Sequence, residues 1–327
     1  MTKVTSKRSK NQEFRPKDKY RVTNWSSYNR SLKGRGDITL WFDKELAKVW
    51  LYDGPDQRGA QYKYSDECIL GLLQLKVVFH LKYRQLEGFV ESLLKLMDIA
   101  LEVPSYSQIC RRAKELEVDI QAPLSKGPIY IVFDSTGLKV YGEGEWKVRK
   151  HGYNKRRTWR KLHLGVDEST GFIHAQVLTK NSKGDGDAQQ LPELLDQVNT
   201  PIDRLGGDGA YDTYEIWEEL KQRNIEGIIP PQENAIYWVD EEDNLLDLDR
   251  NYILEQIENK GRKKWKQQSG YHRRSLSETA MYRFKVIYGP DLYSRRLDTQ
   301  QVEAAVKIKC LNLMTGIGMP SSEKVVA

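Results

Sequence analysis

Three carboxylates stand where strand ends and a helix could bring them together. Asp134 follows the most apolar stretch of the chain, Ile129-Tyr-Ile-Val-Phe133. Asp208 lies within Gly206-Gly-Asp-Gly-Ala-Tyr-Asp212, where glycines let backbone or ligand come close. Glu278 sits in Tyr271-His-Arg-Arg-Ser-Leu-Ser-Glu278. At about 100° per residue, a helix through this segment puts Tyr271, Arg274, Glu278 and Lys285 on one stripe, with Leu276, Ala280, Phe284 and Ile287 opposite. Oxygen ligands of this kind suit hard divalent cations. A pair of such ions about 3.5–4 Å apart activates water and neutralises both the attacking and the leaving oxygen of a phosphodiester. Competing readings stand beside this one. Asp134 is equally placed for a turn, Asp212 rivals Asp208 or caps the following helix, and Glu278 fits a surface salt-bridge stripe.

The elements that must position these acids follow from the hydrophobic period. Residues 129–133 form a short strand ending at Asp134. Residues 161–166 alternate as a second strand, and 171–178 form a third after the turn Asp167-Glu-Ser-Thr-Gly171. A helix is expected from about Asp187, then a strand leading into Asp208, a helix over 213–224 and a strand over 225–229. A polar insertion at about 231–268 precedes a long helix from Tyr271. A three-strand meander followed by alternating helices and strands is the order of an α/β, RNase H-like mixed sheet with flanking helices and a small insertion. Upstream, Trp25 to Gly34 reads as a short helix and Ile38 to Phe42 as an extended piece. Ser65, Ser105 and their neighbours open helices across 65–118, the last carrying Arg111 and Arg112. Three short helices of this kind suit a helix-turn-helix-like, all-α DNA-binding domain, with a plain bundle as the alternative. The expected division is a basic tail at 1–20, a helical domain at 21–122, a catalytic domain at 123–320 and a tail at 321–327.

Charge points to a polyanionic partner. The 327 residues carry 52 Lys and Arg against 46 Asp and Glu, a net of +6, and the cations are segregated. Between Met1 and Arg35 the only acids are Glu13 and Asp18, whereas acids gather at 240–249. A block at 146–161 interleaves Lys147, Arg149, Lys150, Lys155, Arg156, Arg157 and Arg160 with Trp146, Tyr153 and Trp159, a mix suited to phosphates and stacked bases. His151 and His163 lack zinc spacing and read as polar contacts, and Asp185 and Asp187 as loop or cap residues. Tyr237, Trp238 and Trp265 read as packing residues ahead of base-stacking ones. Three cysteines with no paired spacing fit a reducing compartment. No apolar run is long enough to span a bilayer and no signal peptide is visible, so a soluble, intracellular protein is expected.

Tyr271-x2-Arg274-x3-Glu278-x6-Lys285 resembles the Tyr-Arg-Glu-Lys signature of DDE transposases from bacterial insertion sequences, in particular the insertion-sequence-five family. The segments Phe133-Asp-Ser-Thr-Gly137 and Gly207-Asp-Gly-Ala-Tyr-Asp212 are similar to its two Asp motifs, and Trp25-x2-Tyr28 with Arg35-Gly36 to its N-terminal region. The resemblance implies metal-holding roles for Asp134, Asp208 and Glu278, with two Mg²⁺ ions that Mn²⁺ can replace. It implies phosphate contacts for Tyr271, Arg274 and Lys285. It further implies recognition of terminal inverted repeats, action on double-stranded DNA as a homodimer on paired ends, and a nucleoid-associated place in a bacterial cytoplasm. A transposase-derived binding protein that no longer cuts, and a nuclease without strand transfer, are the alternatives.

Overall fold

The computed structural model describes residues 19–325 except 56, 57, 60, 121, 143–157, 181 and 183. Its centre is a mixed sheet. Strand β2 (Ile129–Val140) pairs antiparallel with β3 (Trp159–Asp167), and β3 with β4 (Ile173–Thr179). On the other side of β2, β5 (Ile202–Gly206) runs parallel, and β6 (Glu226–Ile228) runs parallel to β5. In the order β4-β3-β2-β5-β6 the meander is as the sequence predicts, and the two later strands add parallel beside β2. A two-residue strand, β7 (Asp291–Leu292), pairs with the far end of β2 at Lys139 and Val140.

Both faces of the sheet are covered. On one, Ile131 and Phe133 join Ala175 and Val177, and over them pack α7 (Asp187–Asp196) and α8 (Tyr214–Gln222) through Leu191, Leu194, Ile216, Trp217 and Leu220. The other face presents Leu138, Leu162, Leu164 and Val166 to α11 (Ser275–Tyr288) and α12 (Leu297–Ile317). Alternation along β3 decides this, because successive side chains leave a strand on opposite faces. Helix α12 was not foreseen from the sequence. Its period is masked because it is buried nearly all round, polar groups included: Glu303 pairs with Lys307 at 2.8 Å, and Asn312 Nδ2 donates to the carbonyls of Ile173 and Ile120.

The N-terminal segment supplies α1 (Trp25–Gly34), α2 (Ile38–Trp41), α3 (Lys44–Lys48), α4 (Asp66–Val78), α5 (Tyr83–Leu96) and α6 (Tyr106–Arg112). Ser65 and Ser105 cap α4 and α6 through the backbone N–H of Cys68 and Gln108, as their spacing predicts. Leu72, Leu75, Leu86, Val90 and Ile109 enter the same core as α11, α12 and the sheet.

At four places the structure corrects or fills in the local expectations. Residues 38–41 are helical, not extended, because Asp37 accepts a hydrogen bond from the Thr39 N–H and starts a turn. Asp134 lies within β2, which continues six residues past it, because Leu138 and Val140 supply further buried positions. The insertion at 231–268 contains α9 (Asp249–Lys260) and α10 (Arg262–Gln268), anchored by Ile253 and Trp265. Lys19 and Tyr20, the described end of the expected basic tail, and residues 322–325 of the C-terminal tail lie in strands, β1 (Lys19–Val22) pairing with β8 (Ser322–Val325), beside Asn24, which donates to Met319 O and accepts from Ser321 N–H.

Candidate active site

Parallel pairing of β2 with β5 brings the first two acids together. The register matches Val132 with Gly206, so Asp134 stands two residues further along β2 and Asp208 two residues beyond the end of β5, close enough for its charge to act on Asp134. The chain leaves β5 through Gly206 and Gly207 because no side chain fits: a Cβ there would lie 2.7 Å from the Tyr130 hydroxyl or 2.8 Å from the Tyr211 ring. Asp208 then fixes a 3₁₀ turn (Gly209–Tyr211) by accepting from the Ala210 N–H at 2.9 Å. Asp134 Oδ1 accepts from the Ser135 N–H at 2.8 Å. Burial pushes the Asp134 carboxyl above its ordinary range and the nearby Asp208 charge adds to this, against the Ser135 N–H, Arg274 and Ser277.

Helix α11 delivers the third acid. It buries Ser277, Ala280, Met281, Phe284 and Tyr288, and the neighbouring edge lies over β2. A 3₁₀ turn (Tyr271–Arg274) precedes it, so the signature begins one turn before the helix. Arg274 spans two acids, donating to Asp134 Oδ2 at 3.1 Å and to Glu278 Oε1 at 2.8 Å. Lys285 Nζ reaches Thr136 Oγ1 at 2.6 Å, two residues along β2 from Asp134. The Tyr271 ring packs against Trp265 at 6.2 Å, with Lys266 over it at 4.7 Å. Arg274 thus ties Asp134 to Glu278, the Asp208 charge acts on Asp134, and Lys285 and Tyr271 flank this group rather than joining it. Ser277, which donates to Asp134 Oδ2 at 3.3 Å, was not singled out, since a serine within a helix carries no spacing signal.

Asp212 and Asp187 have other partners than those expected. Asp212 does not cap α8, whose cap position is Thr213. Its side chain is 2% exposed and pairs with Arg250 at 2.9 Å while accepting from Trp217 Nε1 at 3.0 Å. Arg250 also stacks on the Trp238 ring at 3.7 Å, which gives that insertion tryptophan a packing role. Asp187, in the first turn of α7, pairs with Lys161 at 2.8 Å and lies 3.0 Å from the Nδ1 of His163. Burial alone would raise the Asp187 carboxyl, but His163, Lys161 and the Ser135 hydroxyl hold it well below the usual range. Buried Tyr211 has its pKa raised by burial and by Asp187, Asp134 and Asp208, which together surround it.

The cations expected to meet DNA fall into three groups. Lys147, Arg149, Lys150, Lys155, Arg156 and Arg157 lie outside the described residues, as does His151. Arg160 donates to Gln300 Oε1 at 2.7 Å from the edge of β3. Arg111 is exposed on α6, but Arg112 is turned inward. Its side chain is 11% exposed and is held by Asp66, by the Tyr64 carbonyl and by the Tyr62 ring.

Among the described residues, no three His, Cys, Asp or Glu side chains stand together as a ready cation site. Glu278 is instead engaged by Arg274, and at 56% exposure its side chain is free to turn. The donor set still fits a hard divalent cation: three carboxylates, two of them close enough that the Asp208 charge adds to the rise that burial causes at Asp134.

Two family models, each described as a transposase DDE domain, match the chain, one over residues 33–143 and the other over residues 125–313. Similar solved structures include a piggyBac transposase synaptic complex with hairpin DNA, at 11% identity and a TM-score of 0.39 over 90% of this chain and 76% of that one. A Drosophila P element transposase strand transfer complex aligns at 10% identity and a TM-score of 0.32, over 58% of this chain and 47% of that one. A Mos1 mariner paired end complex with Mn aligns at 11% identity and a TM-score of 0.22, over 82% and 88%. The assignment rests on the family models, the second of which spans more than half of the chain and contains all three carboxylates. The chain belongs to the DDE transposase family.

Proposed function

We propose that this transposase binds the terminal inverted repeats of an insertion sequence, cleaves DNA at the element end and joins the freed end to a target. The observation that carries this reading is the single array formed by Asp134, Asp208, Arg274 and Glu278. The reaction proposed is hydrolysis of a phosphodiester, followed by attack of the released 3′-OH on target DNA at the same site.

Asp134, Asp208 and Glu278 would hold Mg²⁺ or Mn²⁺, which when bound supply an activated nucleophile and neutralise the leaving oxygen. Arg274 keeps Glu278 beside Asp134 and offsets carboxylate repulsion until Glu278 turns inward. Lys285 places a cation next to Thr136, and Tyr271 with Lys266 offers a ring and a charge on the opposite flank, positions suited to phosphates on either side of the scissile bond. The mixed sheet beneath is read as an RNase H-like scaffold, on which rigid strands hold two acids and a movable helix side chain supplies the third. The helical segment at 21–122 is read as the end-recognition domain, the catalytic domain as 123–320, and the working unit as a homodimer on paired ends. Insertion-sequence-five membership and residence at a bacterial nucleoid follow from the same reading.

Incubating the protein with labelled element ends, a target plasmid and Mg²⁺ or Mn²⁺ tests it. Joined product supports the proposal. Nicked or cut ends without joining would make the protein a nuclease, and binding without cutting would make it a DNA-binding relic.

A further inference from the structure

Beyond the carboxylates, β2 runs on to a second feature. A cavity of about 620 Å³ opens where Tyr141 follows β2, between the end of α4 and the start of α12. Another, of about 780 Å³, lies between the start of α5 and α6. Lys82 and Tyr83 line both, so the two cavities adjoin along one groove. Asp134 and Tyr141 are seven residues apart on one strand line, roughly 23 Å, so the groove begins within a few nucleotides of the candidate active site.

The lining is cationic and aromatic. Lys76, Lys82, Arg84, Arg111, Lys114 and Arg295 line it, and among the described residues none of these forms an ion pair with a carboxylate. Glu303 is the one acid among the described lining residues, and it is already committed. It pairs with Lys307 at 2.8 Å and accepts from the N–H groups of Tyr293 and Ser294. Burial lowers the Lys76 ammonium, with Glu303 the main offset and Lys307 and Lys82 adding to the lowering. An anion in the groove would reverse that.

The rings are interleaved with these charges. Tyr141 and Tyr293 lie 5.0 Å apart, 58% and 42% exposed, with Lys82 over Tyr293 at 4.3 Å. Further along, Arg84 lies over Tyr106 at 4.5 Å. Exposed tyrosine rings offer flat faces for stacking, and unpaired cations spread along a cleft favour a ligand with a repeating negative charge. Alternation of ring and cation matches a chain of bases and phosphates whose bases are unpaired. A duplex presents phosphates but keeps its base faces stacked internally.

We propose that this groove binds a single-stranded segment of DNA, with bases stacked on Tyr141 and its neighbours and phosphates on Lys82, Arg84 and Arg295. The inference rests on the reading of the protein as a DNA-processing enzyme. It assigns the strand that leaves the catalytic face a track along the N-terminal helices.

The test uses the full chain and three probes: an oligodeoxythymidine of about 10 nucleotides, an abasic strand of the same length, and a blunt duplex. Wild-type protein should bind oligodeoxythymidine about 10-fold or more tighter than the abasic strand, the preference expected of base–aromatic stacking. Combining Tyr141→Ala with Tyr293→Ala should erase that preference, and the paired Phe substitutions should retain it. Lys82→Ala with Arg84→Ala should weaken both strands and flatten the salt dependence. Ultraviolet crosslinking of an iododeoxyuridine-substituted strand to wild-type protein should label a groove tyrosine. Equal affinity for base-bearing and abasic strands, or crosslinks confined to other surfaces, would overturn the groove while duplex binding leaves the DNA reading standing. Failure to bind any of the three probes would count against both.

Discussion

Arg274 donates to Asp134, 140 residues earlier in the sequence, at 3.1 Å, and to Glu278 one helical turn ahead at 2.8 Å. One guanidinium thus joins the strand that carries the first acid to the helix that carries the third. Its planar fork suits this, since two acids accept from different nitrogens of the same group.

Replacing Arg274 with Ala should therefore do more than remove a phosphate contact. Burial already raises Asp134, and Arg274 pulls it down. Without that charge Asp134 rises further, so a smaller fraction is ionised at any given acidic pH. The cleavage rate should fall about 100-fold, a loss typical of removing one preorganised charge, and its acid limb should move to higher pH. A pH–rate profile of Arg274→Ala beside wild type measures both, and an unmoved acid limb would deny the coupling.

Asp187 should matter for stability. Its carboxyl is depressed by His163, Lys161 and Ser135 against the opposing effect of burial. A depressed carboxylate contributes stability above its unfolded pKa of about 3.9, and that contribution is lost as pH falls through this value toward the folded one. Asp187→Asn should cost about 2–3 kcal/mol at neutral pH, as for a partly buried charge network. The difference from wild type should shrink in urea titrations near pH 3. A difference that stays constant with pH would show that the charge is immaterial.

Asp208 and Asp212, four residues apart, should separate cleanly. Asp212→Ala strands Arg250 without its partner in a buried site and should cost about 3–5 kcal/mol. Asp208→Asn leaves the core intact and should abolish cleavage with a change of less than about 1 kcal/mol. Denaturant melts and cleavage assays on the two variants decide this, and the reverse pattern would exchange their roles.

Lys285 lies against Thr136, beside rather than among the acids. Lys285→Ala should weaken binding of end DNA and reduce the slope of log affinity against log salt by about 0.9, the loss of one phosphate contact. An unchanged slope would place Lys285 off the DNA path.

Much of this arrangement was legible in the sequence because its parts are local. An apolar run predicts the start of β2, alternation predicts β3, short apolar stretches predict β4 to β6, and the spacing of Arg274, Glu278 and Lys285 marks the helix and the edge that lies over β2. Gly206 and Gly207 mark the close approach before Asp208. What escaped depends on distant pairing. Nothing near Asp212 signals Arg250, 38 residues later, and nothing near Asp187 signals His163 on β3. Helix α12 escaped because burial on every side erases the amphipathic period, and β1 with β8 because each strand is polar until paired with the other. The extension of β2 beyond Asp134 escaped for a similar reason. Ser135, Thr136 and Gly137 break the apolar run, yet β3 pairs with them residue by residue.

Single-turnover cleavage of labelled element-end DNA in Mn²⁺, by wild type and by Asp134→Asn, Asp208→Asn and Glu278→Gln, tests the central claim most directly. If the three acids act as one set, each variant should melt like wild type, bind the end and show no cleavage above background. Cleavage retained by any one of them, with its fold intact, would remove that residue from the set and contradict the account.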